Sequence, residues 1–306
     1  MSEDRMAGDP AQIRRALSKK SVEAGENLTF VLERFASQRL LYRLSVSEHR
    51  NSFVLKGAVL LAVLSEVPYR ATRDIDLLGQ GENSIAHLES VFRGLCGMQV
   101  QDGLLFDRES VRVEEIRETQ EYGEFRVKLR AYLEKAWASV QIDVGFGDDI
   151  TPGAVEVECP CLLDFPPARL QAYPRETVIA EKVEALVRLG LINSRMKDFS
   201  DLHHLASQFE FDGRLLRQAI RATFSRRRTD LPQGVPAGLT ERFHGDSDTR
   251  RRWSGFLQTA RINSDISLED VCAKLASFLI PVVEAAASDV EFGLIWQPGG
   301  PWSDGS

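Results

Sequence analysis

Long apolar runs and paired cysteines are scarce in this chain of 306 residues, and we expect no leader peptide. One of the longest apolar runs, Ala58 to Leu64, is much shorter than the roughly 20 residues that a membrane-spanning helix needs. Of the four cysteines only Cys159 and Cys161 lie close together, without the second pair or nearby histidine of a zinc site. The first ten residues are polar and lack the apolar core of a signal peptide. We therefore predict a cytoplasmic protein with reduced thiols and no membrane association.

Positive charge is also in short supply, because 45 acidic residues outnumber 38 lysines and arginines and the net charge is −7. Such a balance argues against general binding of nucleic acids. The basic residues are nevertheless clustered, with six arginines within fifteen residues that hold no acidic side chain. Three of them, Arg214, Arg217 and Arg221, share one face of a predicted helix. This stripe predicts contact with an RNA phosphate backbone, and a solvated face that balances the acidic remainder is the alternative.

The hydrophobic period separates helical regions from strand regions. Helical spacing predicts helices over Ala11–Glu23 and Asn27–Ser45, whereas alternation between Ser110 and Phe146 predicts antiparallel strands. The spacing is helical again from Arg175, and the Gly- and Pro-rich segment Ser288–Ser306 predicts an extended tail. We predict an α+β fold with a mixed-sheet core and a helical C-terminal domain. The predicted boundaries are 1–50, 51–170, 171–286 and 287–306.

Two aspartates stand two residues apart in a short apolar segment that predicts a strand. A strand places Asp74 and Asp76 on one face, where their mutual repulsion favours a divalent cation. Thr72 has the same parity and would add a hydroxyl to that face. Upstream, a predicted strand ends at Lys56 and an apolar helix begins at Gly57, where a glycine lets the backbone approach a phosphate. We therefore predict Mg²⁺-dependent chemistry on a nucleoside triphosphate, with Lys56, Gly57 and Thr72 binding the nucleotide.

Four short sequence blocks follow one another: Lys56-Gly57-Ala58, Thr72 to Leu77, Glu181 to Leu186 and Lys197 to Leu202. In this order they resemble the AbiEii/AbiGii toxin family of nucleotidyltransferases, over about residues 53–206. The resemblance implies a nucleotidyltransferase-like core that acts as the toxin of a bacterial toxin–antitoxin or phage-defence pair. It implies transfer of a nucleotide from an NTP to an RNA hydroxyl, with the 3′ end of a tRNA as one such acceptor. It also implies Mg²⁺ or Mn²⁺ as cofactor and a cognate antitoxin as partner.

Further site residues follow from this resemblance. Asp143, on a later predicted strand, would complete a metal site with the aspartate pair, and an edge carboxylate facing water is the alternative. Lys182 would bind triphosphate charge or stabilise the transition state. The alternative is a solvated lysine held by an ion pair, and because no acidic residue lies three or four positions away, its partner would be Glu181, Glu184 or a residue distant in sequence. Asp198 would orient Lys182 or the attacking hydroxyl, with Asp201 supporting it. The alternative for both acids is that they complement the dipole of a helix N-terminus.

The first block departs from the family pattern, which usually has two glycines followed by a small hydroxyl residue. This chain has Gly57, Ala58 and Val59, so a potential phosphate-binding hydroxyl is absent. A non-catalytic nucleotide-binding or interaction protein with the same fold is therefore the alternative function. A phosphohydrolase that uses Asp74 as nucleophile ranks lower, because enzymes of the haloacid dehalogenase type have Thr or Val where Leu78 stands.

Overall fold

A computed structural model of the chain describes residues 8–65, 74–117, 123–260, 262 and 265–305. Its contacts divide the chain into two units. The first holds the described residues up to Gly147 together with Val155–Ala172, and the second holds Asp148–Ala154 and the chain from Tyr173 onward. The four-segment division made from the sequence stays a prediction. Within the described residues, no helix is long and apolar enough to cross a membrane.

A seven-stranded mixed sheet supports the first unit. Its strands are β1 (Phe53–Lys56), β2 (Ile75–Gly79), β3 (Leu105–Arg117), β4 (Glu124–Leu133), β5 (Ala136–Phe146), β6 (Val155–Cys159) and β7 (Ala168–Ala172). In space they follow the order β3-β4-β5-β2-β1-β7-β6. The β3-β4-β5 meander is antiparallel, β2 runs parallel to β5, and β1 runs antiparallel to β2 and parallel to β7. This order brings β2, with the predicted aspartate pair, to the centre of the sheet.

Alternating burial along the strands explains why this sheet has one charged face. On β4, Phe125, Val127 and Leu129 are buried, whereas Arg126 and Lys128 between them are not. Period-two alternation places these two sets on opposite faces of the sheet. The helices of the unit are α1 (Pro10–Ala24), α2 (Leu28–Ser45), α3 (Gly57–Leu64) and α4 (Ile85–Gly97). Helix α2 packs against β5 and β7, and α4 packs against β3.

A buried ion cluster anchors α2. Arg39 Nε lies 2.9 Å from Asp102 Oδ2, and Arg43 Nη1 lies 2.6 Å from the same oxygen. Arg39 also donates a hydrogen bond from Nη1 to the Pro166 carbonyl, at 2.8 Å. All three charged side chains are buried, so loss of Asp102 would leave two uncompensated guanidinium groups in the interior. The cluster therefore ties α2 to two distant segments of the first unit.

The second unit is mainly helical, and together the two units confirm the predicted α+β class. Its helices are α5 (Arg175–Leu189), α6 (Met196–Gln208), α7 (Gly213–Arg226), α8 (Glu241–His244), α9 (Ser247–Ala260) and α10 (Leu268–Ala287). Three short strands, β8 (Phe211–Asp212), β9 (Ile295–Trp296) and β10 (Trp302–Ser303), form a small antiparallel sheet in the order β10-β9-β8.

The Gly- and Pro-rich C-terminal segment is packed rather than extended, which corrects the prediction of an extended tail. Trp296 is 1% exposed, and its Nε1 donates a hydrogen bond to the Ala206 carbonyl at 2.7 Å. Its ring centroid lies 4.8 Å from that of Phe278 on α10. Trp302 donates from Nε1 to the Phe278 carbonyl at 2.9 Å. Indole rings that fill a core while satisfying their N–H groups explain why this segment is fixed.

Candidate active site

Four charged side chains form a row across four neighbouring strands of the first unit. Strand register pairs Arg126 on β4 with Asp143 on β5, Asp143 with Asp76 on β2, and Asp76 with Lys56 on β1. Directly paired residues of neighbouring strands project from the same face of a sheet. A Cβ atom added to Gly145 on β5 would lie 3.5 Å from Lys56 Nζ, so this ammonium reaches back over β2. The row therefore has one basic side chain at each end and two carboxylates between them.

Gly57 allows the row to meet the start of α3. Its φ of +67° lies in the left-handed region that favours glycine. A Cβ atom at this position would lie 2.0 Å from Asp76 Oδ2, which is closer than atoms can approach. The backbone N–H of Ala58, in the first turn of α3, donates to Asp76 Oδ2 at 3.4 Å. Glycine therefore brings the backbone against a carboxylate here, at a helix N-terminus of the kind that also binds phosphates.

Arg126 holds Asp143 through both carboxylate oxygens. Nε donates to Oδ1 at 2.9 Å and Nη2 donates to Oδ2 at 2.8 Å, in the bidentate geometry that guanidinium groups favour. Gln141 adds a longer hydrogen bond to Oδ1 at 3.4 Å. The pKa of Arg126 lies above its ordinary value, first because of its hydrogen bonds to Asp143 and further because of negative charge on Asp143, Asp74 and Glu114. Asp74 is thus close enough to act on Arg126.

Asp74 and Asp76 fit a divalent cation as a pair. Asp74 is exposed and Asp76 half-buried, whereas Ile75 and Leu77 between and after them are buried, so both acids face away from the core. Carboxylate oxygens are hard ligands of the kind that Mg²⁺ and Mn²⁺ prefer. Among the described residues, no group of three His, Cys, Asp or Glu side chains is arranged to hold a metal. The predicted part of Asp143 as a third ligand beside Asp74 and Asp76 stays a prediction.

A second cluster of predicted site residues lies within the second unit. Lys182 Nζ on α5 contacts Asp198 Oδ1 at 2.6 Å and Asp201 Oδ2 at 2.8 Å, both on α6. The three side chains are 14%, 9% and 1% exposed, respectively. Lys182 is thus paired with residues 16 and 19 positions later in the chain, on a different helix. That Asp198 orients Lys182 stays a prediction, and Asp201 accepts a hydrogen bond from the same ammonium.

The surroundings shift the pKa values of the two acids of this cluster in opposite directions. Burial disfavours ionisation of Asp198, but the Lys182 ammonium outweighs it and holds the pKa of that carboxyl below its ordinary value. Burial raises the pKa of Asp201 well above its ordinary value. The Lys182 ammonium thus favours the ionised form of Asp198, whereas burial favours the neutral form of Asp201.

The predicted arginine stripe on α7 makes contacts within the second unit. Arg217 donates from Nη2 to Asp289 Oδ1 at 2.6 Å and from Nε to the Ala285 carbonyl at 3.3 Å. Arg221 contacts the same oxygen of Asp289 and donates to the Ala286 carbonyl at 3.4 Å. A Cβ atom on Gly293 would lie 3.3 Å from Arg214 Nη2. Arg217 and Arg221 thus support the C-terminal end of α10, and contact of the stripe with RNA stays a prediction.

Three site features lie beyond what the sequence revealed or the structure describes. Thr72, predicted to bind the nucleotide, lies outside the described residues. The role of Arg126 was missed, although its polar position in the alternating pattern of β4 was visible in the sequence. Arg227, one of the clustered arginines, lies 3.1 Å from Glu181 Oε1 and 3.0 Å from Glu184 Oε2 on α5. These contacts fix the helix that carries Lys182.

Comparison with known proteins adds a family to this geometry. The family described as "Nucleotidyl transferase AbiEii toxin, Type IV TA system" matches residues 39–277. No curated protein matches the chain. Among solved structures, the crystal structure of JHP933 from Helicobacter pylori is similar, with 14% identity, a TM-score of 0.46, and coverage of 90% of this chain and 93% of that one. A second H. pylori structure, of a candidate nucleotidyltransferase, has 14% identity, a TM-score of 0.43, and coverage of 95% and 97%.

Proposed function

The chain belongs to the AbiEii family of nucleotidyltransferase toxins of type IV toxin–antitoxin systems, and we propose that it transfers a nucleotide from a nucleoside triphosphate to an RNA hydroxyl. The observation that carries this proposal is the contact between Asp76 and the first turn of α3. Ala58 N–H lies 3.4 Å from Asp76 Oδ2, so a cation held by the carboxylate and a phosphate held by the helix N-terminus would be neighbours. This is the arrangement that a metal-bound triphosphate requires.

The proposed roles follow from charge and position. Asp74 and Asp76 would hold Mg²⁺ or Mn²⁺, and the cation would neutralise charge that develops on the phosphates. Lys56 and the backbone at Gly57 would hold triphosphate oxygens from the same side of the sheet. Lys182, fixed by Asp198 in the second unit, is proposed to counter triphosphate charge as a preorganised ammonium.

The acceptor and the partner extend this proposal beyond the family assignment. We take RNA, and the 3′ end of a tRNA in particular, as the acceptor, and a cognate antitoxin as the protein that restrains the activity. What supports both is membership of a type IV toxin family. The alternative is a nucleotide-binding protein of the same fold without turnover, since Val59 supplies no hydroxyl at the first block.

The experiment that tests the proposal follows label from nucleotide to RNA. Purified protein is incubated with Mg²⁺, total RNA and each α-labelled nucleoside triphosphate in turn, and we expect label to enter RNA with at least one. Asp76→Asn keeps side-chain volume but removes a charged ligand, and we expect the rate to fall by about 100-fold or more. Asp304→Asn, at an exposed position, is the matched control and should leave the rate unchanged.

Two results would contradict this assignment in different ways. If Asp76→Asn transfers label at the wild-type rate with the same Mg²⁺ dependence, the aspartate pair holds no catalytic cation. If every nucleotide binds but none yields labelled RNA or pyrophosphate, the protein is a non-catalytic nucleotide-binding member of the fold.

A further inference from the structure

Arg126 offsets part of the negative charge around the aspartate pair. Asp76 and Asp143 lie on one face of adjoining strands, Asp74 directly precedes β2, and Arg126 and Lys56 lie at the two ends of the row. Carboxylates gathered in this way repel each other unless cations lie between them. A two-metal site would supply those cations as two divalent ions. Here a guanidinium already occupies one side of the row.

The hydrogen bonds show how completely Arg126 engages Asp143. The Nε and Nη2 edge of the guanidinium bonds both carboxylate oxygens, at 2.9 and 2.8 Å. A bidentate pair of this kind is stronger and more directional than a single ionic contact, so it competes well with a metal ion for the same oxygens. The remaining nitrogen, Nη1, makes no hydrogen bond to any other residue that the structure describes, and it is the group that a phosphate oxygen would meet.

We propose that Arg126 takes the place of a second metal ion: it holds Asp143 as its own counterion, while a single divalent cation binds at Asp74 and Asp76. This inference rests on the proposed function, because it concerns the same cation site. It assigns Asp143 to positioning Arg126 rather than to ligating metal. It also assigns Arg126 a substrate class, the phosphate oxygens of the nucleotide, through Nη1.

Binding of Mn²⁺ to the nucleotide-free protein tests the inference without reference to turnover. Free Mn²⁺ is followed by electron paramagnetic resonance during titration of the wild type, Asp76→Asn, Arg126→Gln and the double variant Arg126→Gln/Asp143→Asn. We expect a single Mn²⁺ site in the wild type, weakened about tenfold or more in Asp76→Asn. Arg126→Gln should bind Mn²⁺ about tenfold more tightly, or bind a second ion, because it leaves Asp143 uncompensated. The double variant should stay within about threefold of the wild type, because it removes one positive and one negative charge and no metal ligand.

The outcomes separate the inference from the proposed function. If Asp76→Asn loses Mn²⁺ and the double variant loses it by tenfold as well, Asp143 is a metal ligand and the inference is overturned, whereas the cation site stands. Unchanged Mn²⁺ affinity in Arg126→Gln also overturns it. If the wild type binds no Mn²⁺, or binds it no better than Asp76→Asn does, the cation site itself fails and the inference fails with it. Should Arg126→Gln not fold, the charge-balanced double variant decides alone.

Discussion

At the scale of single residues, Gly57 connects backbone conformation to the position of a carboxylate. Its φ is +67°, and an added Cβ atom would lie 2.0 Å from Asp76 Oδ2. Gly25, at the end of α1, has a similar φ of +61° but no atom within 4 Å of an added Cβ. Comparing an alanine substitution at each of the two glycines therefore separates the cost of a left-handed conformation from the cost of displacing Asp76.

We expect Gly57→Ala to abolish Mn²⁺ binding and nucleotide transfer, whereas Gly25→Ala should only destabilise the fold. The shared backbone strain costs about 1 kcal/mol of unfolding free energy in each variant. Urea unfolding measures that common cost, and Mn²⁺ titration measures the loss peculiar to Gly57→Ala, which should exceed about tenfold. Equal Mn²⁺ affinities in the two variants would show that Asp76 moves aside at no cost to the site.

Sequence spacing sufficed for the residues whose partners are close in sequence. Asp74 and Asp76 share a face by parity alone, and Gly57 follows from a strand, a tight turn and a helix in succession. Sequence spacing did not predict the contact of Arg126, because its partner Asp143 lies 17 residues away across a hairpin. The alternation of apolar and polar residues does not set the register of that hairpin. Sequence spacing likewise predicted a role for Lys182 without its partners, which follow 16 and 19 residues later.

At the scale of single elements, α6 carries two carboxyls that make opposite contributions to stability as pH changes. Because the pKa of Asp201 is raised, the folded chain binds more protons at this carboxyl than the unfolded chain does at pH values between the unfolded and folded pKa. This contribution is therefore complete below the unfolded pKa of about 3.8 and is lost as pH rises toward the folded value. The lowered pKa of Asp198 gives a contribution that is present above its unfolded pKa and is lost as pH falls.

We expect Asp201→Asn to become increasingly favourable relative to wild type as pH rises from about 4 toward neutrality. The amide resembles the protonated carboxyl and can still accept a hydrogen bond from Lys182. Asp198→Asn should be destabilising at neutral pH, because it leaves the Lys182 ammonium buried without its ionised partner. Urea unfolding of the three proteins at a series of pH values measures these differences. A pH-independent difference between wild type and Asp201→Asn would show that the two chains release this proton at the same pH.

Helix α7 offers a test of RNA contact against structural support. Replacing Arg214, Arg217 and Arg221 with Gln removes three positive charges, but Arg217 and Arg221 also bond the end of α10. If the stripe binds RNA, the log–log slope of tRNA affinity against salt should fall by about 0.7–0.9 for each lost phosphate contact. If the contacts are only structural, urea unfolding should show lower stability with an unchanged slope. Measuring both quantities on the same protein decides between the two roles.

At the scale of the whole molecule, hydrophobic period predicted the class of the fold and most of its elements. It could not predict the pairings of β2 with β5 and of β1 with β7, because such contacts join segments far apart in the chain. The prediction of an extended C-terminal tail was wrong for another reason. Glycine and proline indicate turns, but Trp296 and Trp302 supply enough apolar surface to order the turns around them.

We expect Trp296→Ala to lower the free energy of unfolding by about 3–5 kcal/mol, since it removes a fully buried side chain. Trp137 on β5 is 54% exposed, and Trp137→Ala is the matched control, with an expected cost of well under about 1 kcal/mol. Thermal and urea unfolding of both variants measure the difference. Similar stabilities would mean that the C-terminal segment detaches without consequence for the second unit.

The central position of β2 in the sheet limits which sequence changes the chain can accept during evolution. β2 pairs with β1 on one side and β5 on the other, and its buried Ile75 and Leu77 alternate with the outward Asp76. Inserting or deleting one residue within the strand would turn the carboxylate toward the core and an apolar side chain toward solvent, while both neighbours kept their faces. Such a change would damage packing and chemistry together. β2 therefore tolerates substitutions but not insertions or deletions.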